Sequence, residues 1–233
     1  MPVEFKGIPP RTLGYLRSLS QKKMERWEWV GYQGKADQIK LAEKGIFFTY
    51  GDAFAYRNKA ALVLGNSGSG KTFTTRTLRD NLGKDFRILA EDEAILYFSP
   101  SHPAVVFDLE GRLWTGDLPC LSSLFSRGHK LAMVIQLLYA DDDGIDQTGI
   151  EFIWDEVQGP KKREYFRRGF QPYEYLNKKE IEYLDKLFMR PRYGKFLRNI
   201  PFYYFYYSSG FNEVGKTRSI QDLVLNALSP RRR

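Results

Sequence analysis

Gly65-Asn66-Ser67-Gly68-Ser69-Gly70-Lys71-Thr72 matches the pattern G-x-x-x-x-G-K-[ST] at every fixed position. The pattern suits phosphate. Glycines let the backbone curl so that successive N–H groups converge on phosphate oxygens, and a helix that follows adds its positive N-terminal end. In such a loop Lys71 reaches the β- and γ-phosphates of a nucleoside triphosphate, and the Thr72 hydroxyl ligates Mg²⁺. About twenty residues on stand Glu91-Asp92-Glu93. Phosphoryl transfer to a hydroxyl needs a metal to neutralise developing charge and a carboxylate to orient or deprotonate the nucleophile, and adjacent acids supply both. Acids on a solvated turn are the other reading of the same three residues. Asp141-Asp142-Asp143 before Gly144 lacks the spaced oxygens and closing glutamate of a calcium loop and is read as a polar loop.

These residues need elements that position them. Ala60–Leu64 (AALVL) runs straight into the glycine-rich turn, and Thr72–Leu82 follows without Gly or Pro until Gly83. This is strand, loop, helix, the context that the phosphate-binding pattern requires. Phe86–Ala90 (FRILA) is the next strand, expected beside the loop's own strand, so that the acids at its carboxyl end face the crevice where open α/β sheets bind ligands. Ile46–Thr49 (IFFT) reads as a short buried strand ended by Tyr50-Gly51-Asp52. Ala94–Phe98, Ala104–Asp108 and Leu131–Leu138 are further strand candidates, Glu110–Arg112 is a hairpin turn into Leu113–Thr115, and Leu121–Ser126 is a brief helix. Lys178–Met189 has helical character, and the aromatic run Phe202–Tyr207 (FYYFYY) suits a packed strand. Tyr15–Trp27 is compatible with a helix. No repeat or Gly/Ser-rich linker divides the chain. The expected organisation is an N-terminal helical appendage (1–44), a nucleotide-binding core (45–158) and a basic, aromatic-rich C-terminal region packed on the core (159–233).

The stretches ALVLGNSGSGKT and RILAEDEAI together resemble the superfamily of HPr kinase/phosphorylase and phosphoenolpyruvate carboxykinase. Its loop reads G-x-S-G-x-G-K-[ST], and its next strand ends in a paired acidic motif. Ser67-Gly68 fall on the internal Ser-Gly, and Glu91-Asp92 on the acidic pair. AVVFDLEGRLWTGDLPCLSSLFSRGHKLAMVIQL is similar in layout to smaller members, which extends the likeness over residues 45–140. The resemblance implies an α/β fold of the P-loop kinase type, with a mixed central sheet and flanking helices. It also implies ATP and Mg²⁺ as cofactors, Glu91 as base, Asp92 as metal ligand, and a homo-oligomer. Departures from the family are equally specific. The acidic pair begins with Glu rather than Asp, Tyr50 stands where HPr kinases commonly show His, and their second signature after the acids is missing. A divergent relative acting on another hydroxyl is therefore expected, rather than an HPr kinase.

Composition limits the remaining classes. The chain has 233 residues, 27% charged and 42% apolar, enough for a proper core and unlike disordered or low-complexity proteins. One cysteine, Cys120, and two histidines, His102 and His129, supply neither an internal disulfide nor a zinc set. Apolar runs are too short for a spanning helix and the first residues carry no cleavable signal pattern, so a cytoplasmic location is expected. Thirty-six bases against 28 acids leave +8, which favours an anionic partner. Bases interleaved with aromatics at Lys161–Arg168 and Arg190–Arg198, with a tail at Arg231–Arg233, suit nucleic acid as well as an ordinary solvated face. Two other functions follow. One is an NTP-driven nucleic-acid-processing or regulatory ATPase, for which Glu151–Glu156 (EFIWDE) is a thin Walker B candidate; the other is a noncatalytic nucleotide-binding module. Arg127, Lys130 and Arg163 are candidate clamps on an acceptor.

Overall fold

The computed structural model describes residues 35–98, 103–108, 128–139, 154–156, 160–169, 175–207 and 213–228. The expected helix at Tyr15–Trp27, the hairpin at 110–115, Leu121–Ser126, the Asp141–Asp143 loop, Cys120, His102 and Arg127 lie outside the described residues. Helix α1 (Lys35–Glu43) leads into β1 (Ile46–Tyr56), and a two-residue turn with Arg57 at φ 56° folds the chain back into β2 (Lys59–Gly65). The phosphate-type loop connects β2 to α2 (Lys71–Leu82), and β3 (Phe86–Ala90), β4 (Glu93–Tyr97), β5 (Val105–Phe107) and β6 (Gly128–Tyr139) follow. Strand β7 (Trp154–Glu156), helices α3 (Pro160–Arg168), α4 (Lys178–Phe188) and α5 (Pro191–Asn199), strand β8 (Phe202–Tyr207) and helix α6 (Glu213–Leu228) are the remaining elements among the described residues.

The fold is mixed α/β, with a central mixed sheet and flanking helices. Strand β1 pairs antiparallel with β2 along one edge and with β4 and then β3 along the other. Strand β2 is parallel to β6, and β6 is parallel to β8. Because β4 also pairs with β5 and β5 with β6, the ladder β2-β1-β4-β5-β6 returns to β2, and the sheet closes on itself at one end. An open sheet with a crevice, as expected from the sequence, is not what forms there.

Two expectations about β1 are corrected. The strand does not end at Tyr50-Gly51-Asp52 but continues to Tyr56. Gly51 and Asp52 are held in register opposite Leu64 and Val63, and the Asp52 carboxylate finds buried partners, so two turn-forming residues stay extended. In addition, β3 does not lie beside β2, because β1 runs between them. A hairpin joining β1 to β2 places the earlier strand there, and the pairing of β1 with β3, thirty or more residues on, is a nonlocal one that the motif spacing does not reveal.

Alternation along β2 builds two cores. Ala60, Leu62 and Leu64 point into a cluster with Phe47, Phe98, Phe166, Phe188 and Phe196, beneath helices α3 to α5. Ala61 and Val63 point into the other cluster, with Phe54, Leu78, Ile135, Ile220 and Val224, beneath α2 and α6. The Phe166 ring stacks on Phe47 at 4.5 Å and 17°, which pins α3 to β1. An aromatic pair of this kind adds about 0.5–1.5 kcal/mol beyond the burial of its area. Residues beyond 159 thus supply both a sheet strand and a share of the core.

Candidate active site

Strand β2 delivers the loop, and α2 receives it. Gly65 ends β2 at a place where a side chain does not fit: a Cβ would lie 2.4 Å from Ser69 Oγ and 3.0 Å from the Leu137 carbonyl. Gly68 and Gly70 take left-handed conformations, φ 78° and 74°, which L-residues with side chains adopt at a cost. Gly70 is the N-cap of α2, and no acid stands in the helix's first turn to neutralise its positive end. Asn66, Ser67 and Gly68 are exposed, whereas Ser69 and Lys71 are buried and Thr72 is half-buried in the first helical turn.

Lys71 folds back over its own loop. Its Nζ donates to the carbonyls of Gly65 and Asn66, both at 2.9 Å, and sits 4.2 Å from the centre of the Tyr50 ring. Burial pulls the ammonium below the ordinary lysine range, and the charges of Asp52 and Asp92 oppose that shift. Two acids therefore lie close enough to Lys71 to be felt electrostatically.

Glu91 and Asp92 occupy the turn between β3 and β4, both half-buried. The turn is fastened to β1 on both sides of one residue. Gly51 N–H donates to the Asp92 carbonyl at 2.9 Å, and Asp92 N–H donates to Asp52 Oδ1 at 2.8 Å. Asp92 itself is left-handed, with φ 61°. Glu91 points to α2, where Arg76 Nε and Nη2 donate to its two oxygens at 2.8 and 3.0 Å. Glu93, opposite Tyr50 in the ladder, is buried.

Asp52 is the site residue that the sequence reading missed. It is fully buried, and its Oδ2 accepts the Thr75 hydroxyl of α2 at 2.9 Å. Burial pushes its carboxyl above the usual aspartate range, against the pull of its two hydrogen bonds. A Tyr-Gly-Asp run reads as a turn, and the only sequence signal to the contrary is the apolar Ala53–Tyr56 stretch beyond it.

Among the other sequence candidates, Lys130 is exposed on β6, and Arg163 lies half-buried on α3. His129 Nε2 is 3.9 Å from Asp108 Oδ2, an oxygen that Arg87 also approaches at 2.7 Å. Asp155 and Glu156, from the alternative Walker B stretch, fall on β7, an edge strand paired antiparallel with β8. The path from β2 to β7 crosses β6 and β8. By register Asp155 is level with Tyr204, Gln136 and Leu64, and Glu156 with Tyr203, Ile135 and Val63, but both are separated from β2 by two strands.

The donor set tests the fit to Mg²⁺. Thr72 and Asp92 carry hard oxygens of the kind Mg²⁺ prefers, and that ion in phosphoryl-transfer sites usually takes one or two protein oxygens, with phosphate and water completing the shell. Among the described residues no group of three or more His, Cys, Asp or Glu side chains could hold a metal unaided. The residues present fit a metal brought with a nucleotide.

No family model matches the chain, and no curated protein matches it. Among solved structures, the chain is similar to the Hpr(Ser) kinase/phosphatase from Coxiella burnetii, with 11% identity and a TM-score of 0.37. That match covers 77% of this chain and 94% of the other. No helix among the described residues is long and apolar enough to cross a membrane.

Proposed function

We propose that the protein is an ATP- and Mg²⁺-dependent kinase that transfers the γ-phosphoryl group to a hydroxyl of a protein serine, a small molecule or a nucleic acid. The observation that supports this reading best is the fastening of the acidic turn: through Gly51 and Asp52 it is hydrogen-bonded to β1, the strand paired with the one that carries the phosphate loop.

Each residue then has a task. The loop amides of Gly65 to Thr72 and the N-terminal end of α2 hold phosphate oxygens. Lys71 leaves the carbonyls of Gly65 and Asn66 for the β- and γ-phosphates, because phosphate oxygens meet the ammonium with full negative charge where a carbonyl offers only a dipole. Thr72 and Asp92 would hold Mg²⁺, which when bound neutralises charge on the phosphate oxygens. Glu91, kept in one orientation by the Arg76 fork, accepts the proton of the acceptor hydroxyl. The hydroxyl oxygen forms its bond to the γ-phosphorus as the bond to the bridging oxygen breaks, so ADP leaves with that electron pair. Each Glu91 oxygen accepts one Arg76 hydrogen bond and keeps a second lone pair for that proton, so the fork stays in place during the transfer.

Purified protein, labelled ATP, Mg²⁺ and cell extract fractions test the proposal. A labelled product that is lost in Lys71→Ala and Asp92→Asn supports it. Nucleotide binding with no labelled product from any fraction counts against it.

The second reading, an ATPase acting on nucleic acid, draws on the exposed bases of α3 and α5, among them Arg168, Lys195 and Arg198. It expects turnover stimulated by DNA or RNA and lost steeply with salt. The edge position of Asp155 and Glu156 weighs against it.

A further inference from the structure

Asp52 has no assigned task in phosphate binding or proton transfer, yet it joins three elements of the site. It lies on β1 opposite Val63 of the phosphate-loop strand. Its Oδ2 accepts from Thr75, one turn into α2, and its Oδ1 accepts from the backbone of Asp92. With Gly51 N–H on the Asp92 carbonyl, both polar groups of the Asp92 main chain are bonded to successive residues of one strand. Asp92 adopts a left-handed backbone that a non-glycine residue seldom takes without support from its surroundings.

We propose that Asp52 is a positioning residue that locks the backbone of Asp92 and ties it to α2, so that the metal-binding carboxylate and the phosphate loop form one rigid unit. The inference rests on the kinase reading above for the role of Asp92. Without Asp52, Asp92 can relax toward an ordinary backbone conformation, and its carboxylate then changes direction with it. Phosphate binding by the loop amides does not need this tie. Metal-assisted phosphate binding does.

Asparagine discriminates bonding from charge. Its Oδ1 can still accept from Asp92 N–H, and its Nδ2 can donate to Thr75 Oγ1, whose hydrogen then turns to the carbonyls of Lys71 or Thr72, already 3.2 and 3.1 Å away. Alanine keeps neither bond. Thr75→Val removes the α2 arm alone at nearly constant volume.

The test uses the full chain with inorganic pyrophosphate as probe, titrated by calorimetry with and without Mn²⁺. In the wild type, Mn²⁺ tightens pyrophosphate binding. In Asp52→Ala that gain falls at least 10-fold while metal-free binding changes less than threefold; Asp52→Asn keeps most of the gain, and Thr75→Val is intermediate. Hydrogen exchange of the Asp92 amide, read by NMR without any ligand, accelerates at least 10-fold in Asp52→Ala and stays near wild type in Asp52→Asn. An unchanged Mn²⁺ gain and unchanged amide exchange in Asp52→Ala overturn the proposal, as does an Asp52→Asn variant as impaired as alanine. If pyrophosphate fails to bind the wild type with or without Mn²⁺, the kinase reading fails instead, and the amide exchange still decides whether Asp52 locks the turn.

Discussion

Gly65→Ala perturbs the loop at its tightest point. The added methyl would stand 2.4 Å from Ser69 Oγ, 3.1 Å from Ser69 Cβ and 3.0 Å from the Leu137 carbonyl, where carbon normally keeps more than 3.4 Å. The Ser69 side chain is buried, and turning its Oγ aside leaves the contacts with Ser69 Cβ and the Leu137 carbonyl, so relief requires the loop to move away from β6. Overpacking of a filled site costs about 1–3 kcal/mol. Taking about 2 kcal/mol, and about 2–4 °C per kcal/mol for a chain of this size, thermal unfolding should fall by about 4–8 °C. Displacing the first glycine also shifts the amides that converge on phosphate, and pyrophosphate affinity should drop at least 10-fold. Gly68→Ala is the control. A Cβ there meets nothing within 4 Å, and its cost is torsional, about 1–2 kcal/mol for a left-handed alanine. Removing the hydroxyl with Ser69→Ala takes away the 2.4 Å contact, so the double variant Gly65→Ala/Ser69→Ala should regain part of the lost stability, whereas Gly68→Ala/Ser69→Ala should not. Differential scanning calorimetry and pyrophosphate titration on the five variants provide the data. A Gly65→Ala protein within 1 °C of wild type, or equal rescue of both glycine variants by Ser69→Ala, refutes the steric account of this loop.

Glu91→Gln should reduce labelled-phosphate transfer at least 100-fold while nucleotide affinity, followed by fluorescence of a labelled analogue, stays within threefold; an equal fall in both would assign Glu91 to binding rather than to proton transfer. Glu180 supplies a pH-dependent contribution to stability. Burial opposes its ionisation, but the Asn177 N–H, at 2.8 Å, and the Lys35 ammonium, at 3.0 Å, outweigh it and hold the carboxyl below its usual 4.5. A lowered folded pKa gives stability that is present above pH 4.5 and lost as pH falls through the folded value, so Glu180→Gln should be destabilised by about 1 kcal/mol at pH 7, with the gap to wild type closing in acid during urea titrations. Phe166→Ala removes the ring stacked on Phe47 and in contact with Phe188 and Phe196, and a loss of about 3–5 kcal/mol is expected. Urea unfolding checks it; a loss under 1 kcal/mol would show that α3 is not anchored through this ring.

The phosphate loop was legible because its chemistry is contiguous. Eight consecutive residues carry the glycines, the lysine and the threonine, and the apolar strand before them and helix after them are local patterns that the structure bears out in β2 and α2, with Gly83 as the C-cap. The sites of β3, β4, β6 and β8 were legible for the same reason, since apolar and aromatic runs between breakers need no distant partner to be recognised. Their order in the sheet was not, because strand pairing is decided between segments far apart in sequence.

By itself, the sequence determined which residues can meet phosphate and which acids stand next in line. The tertiary structure decided what those acids touch. Asp52 lies forty residues from Asp92 and 23 from Thr75, and only the insertion of β1 between β2 and β3 brings the three together. A carboxylate can occupy that position because buried donors satisfy it, and Glu91 is held by Arg76 because α2 runs past the turn between β3 and β4. Charge, burial and hydrogen bonding at this site are properties of packed neighbours, whereas the phosphate loop needs little beyond its own backbone and the helix that follows.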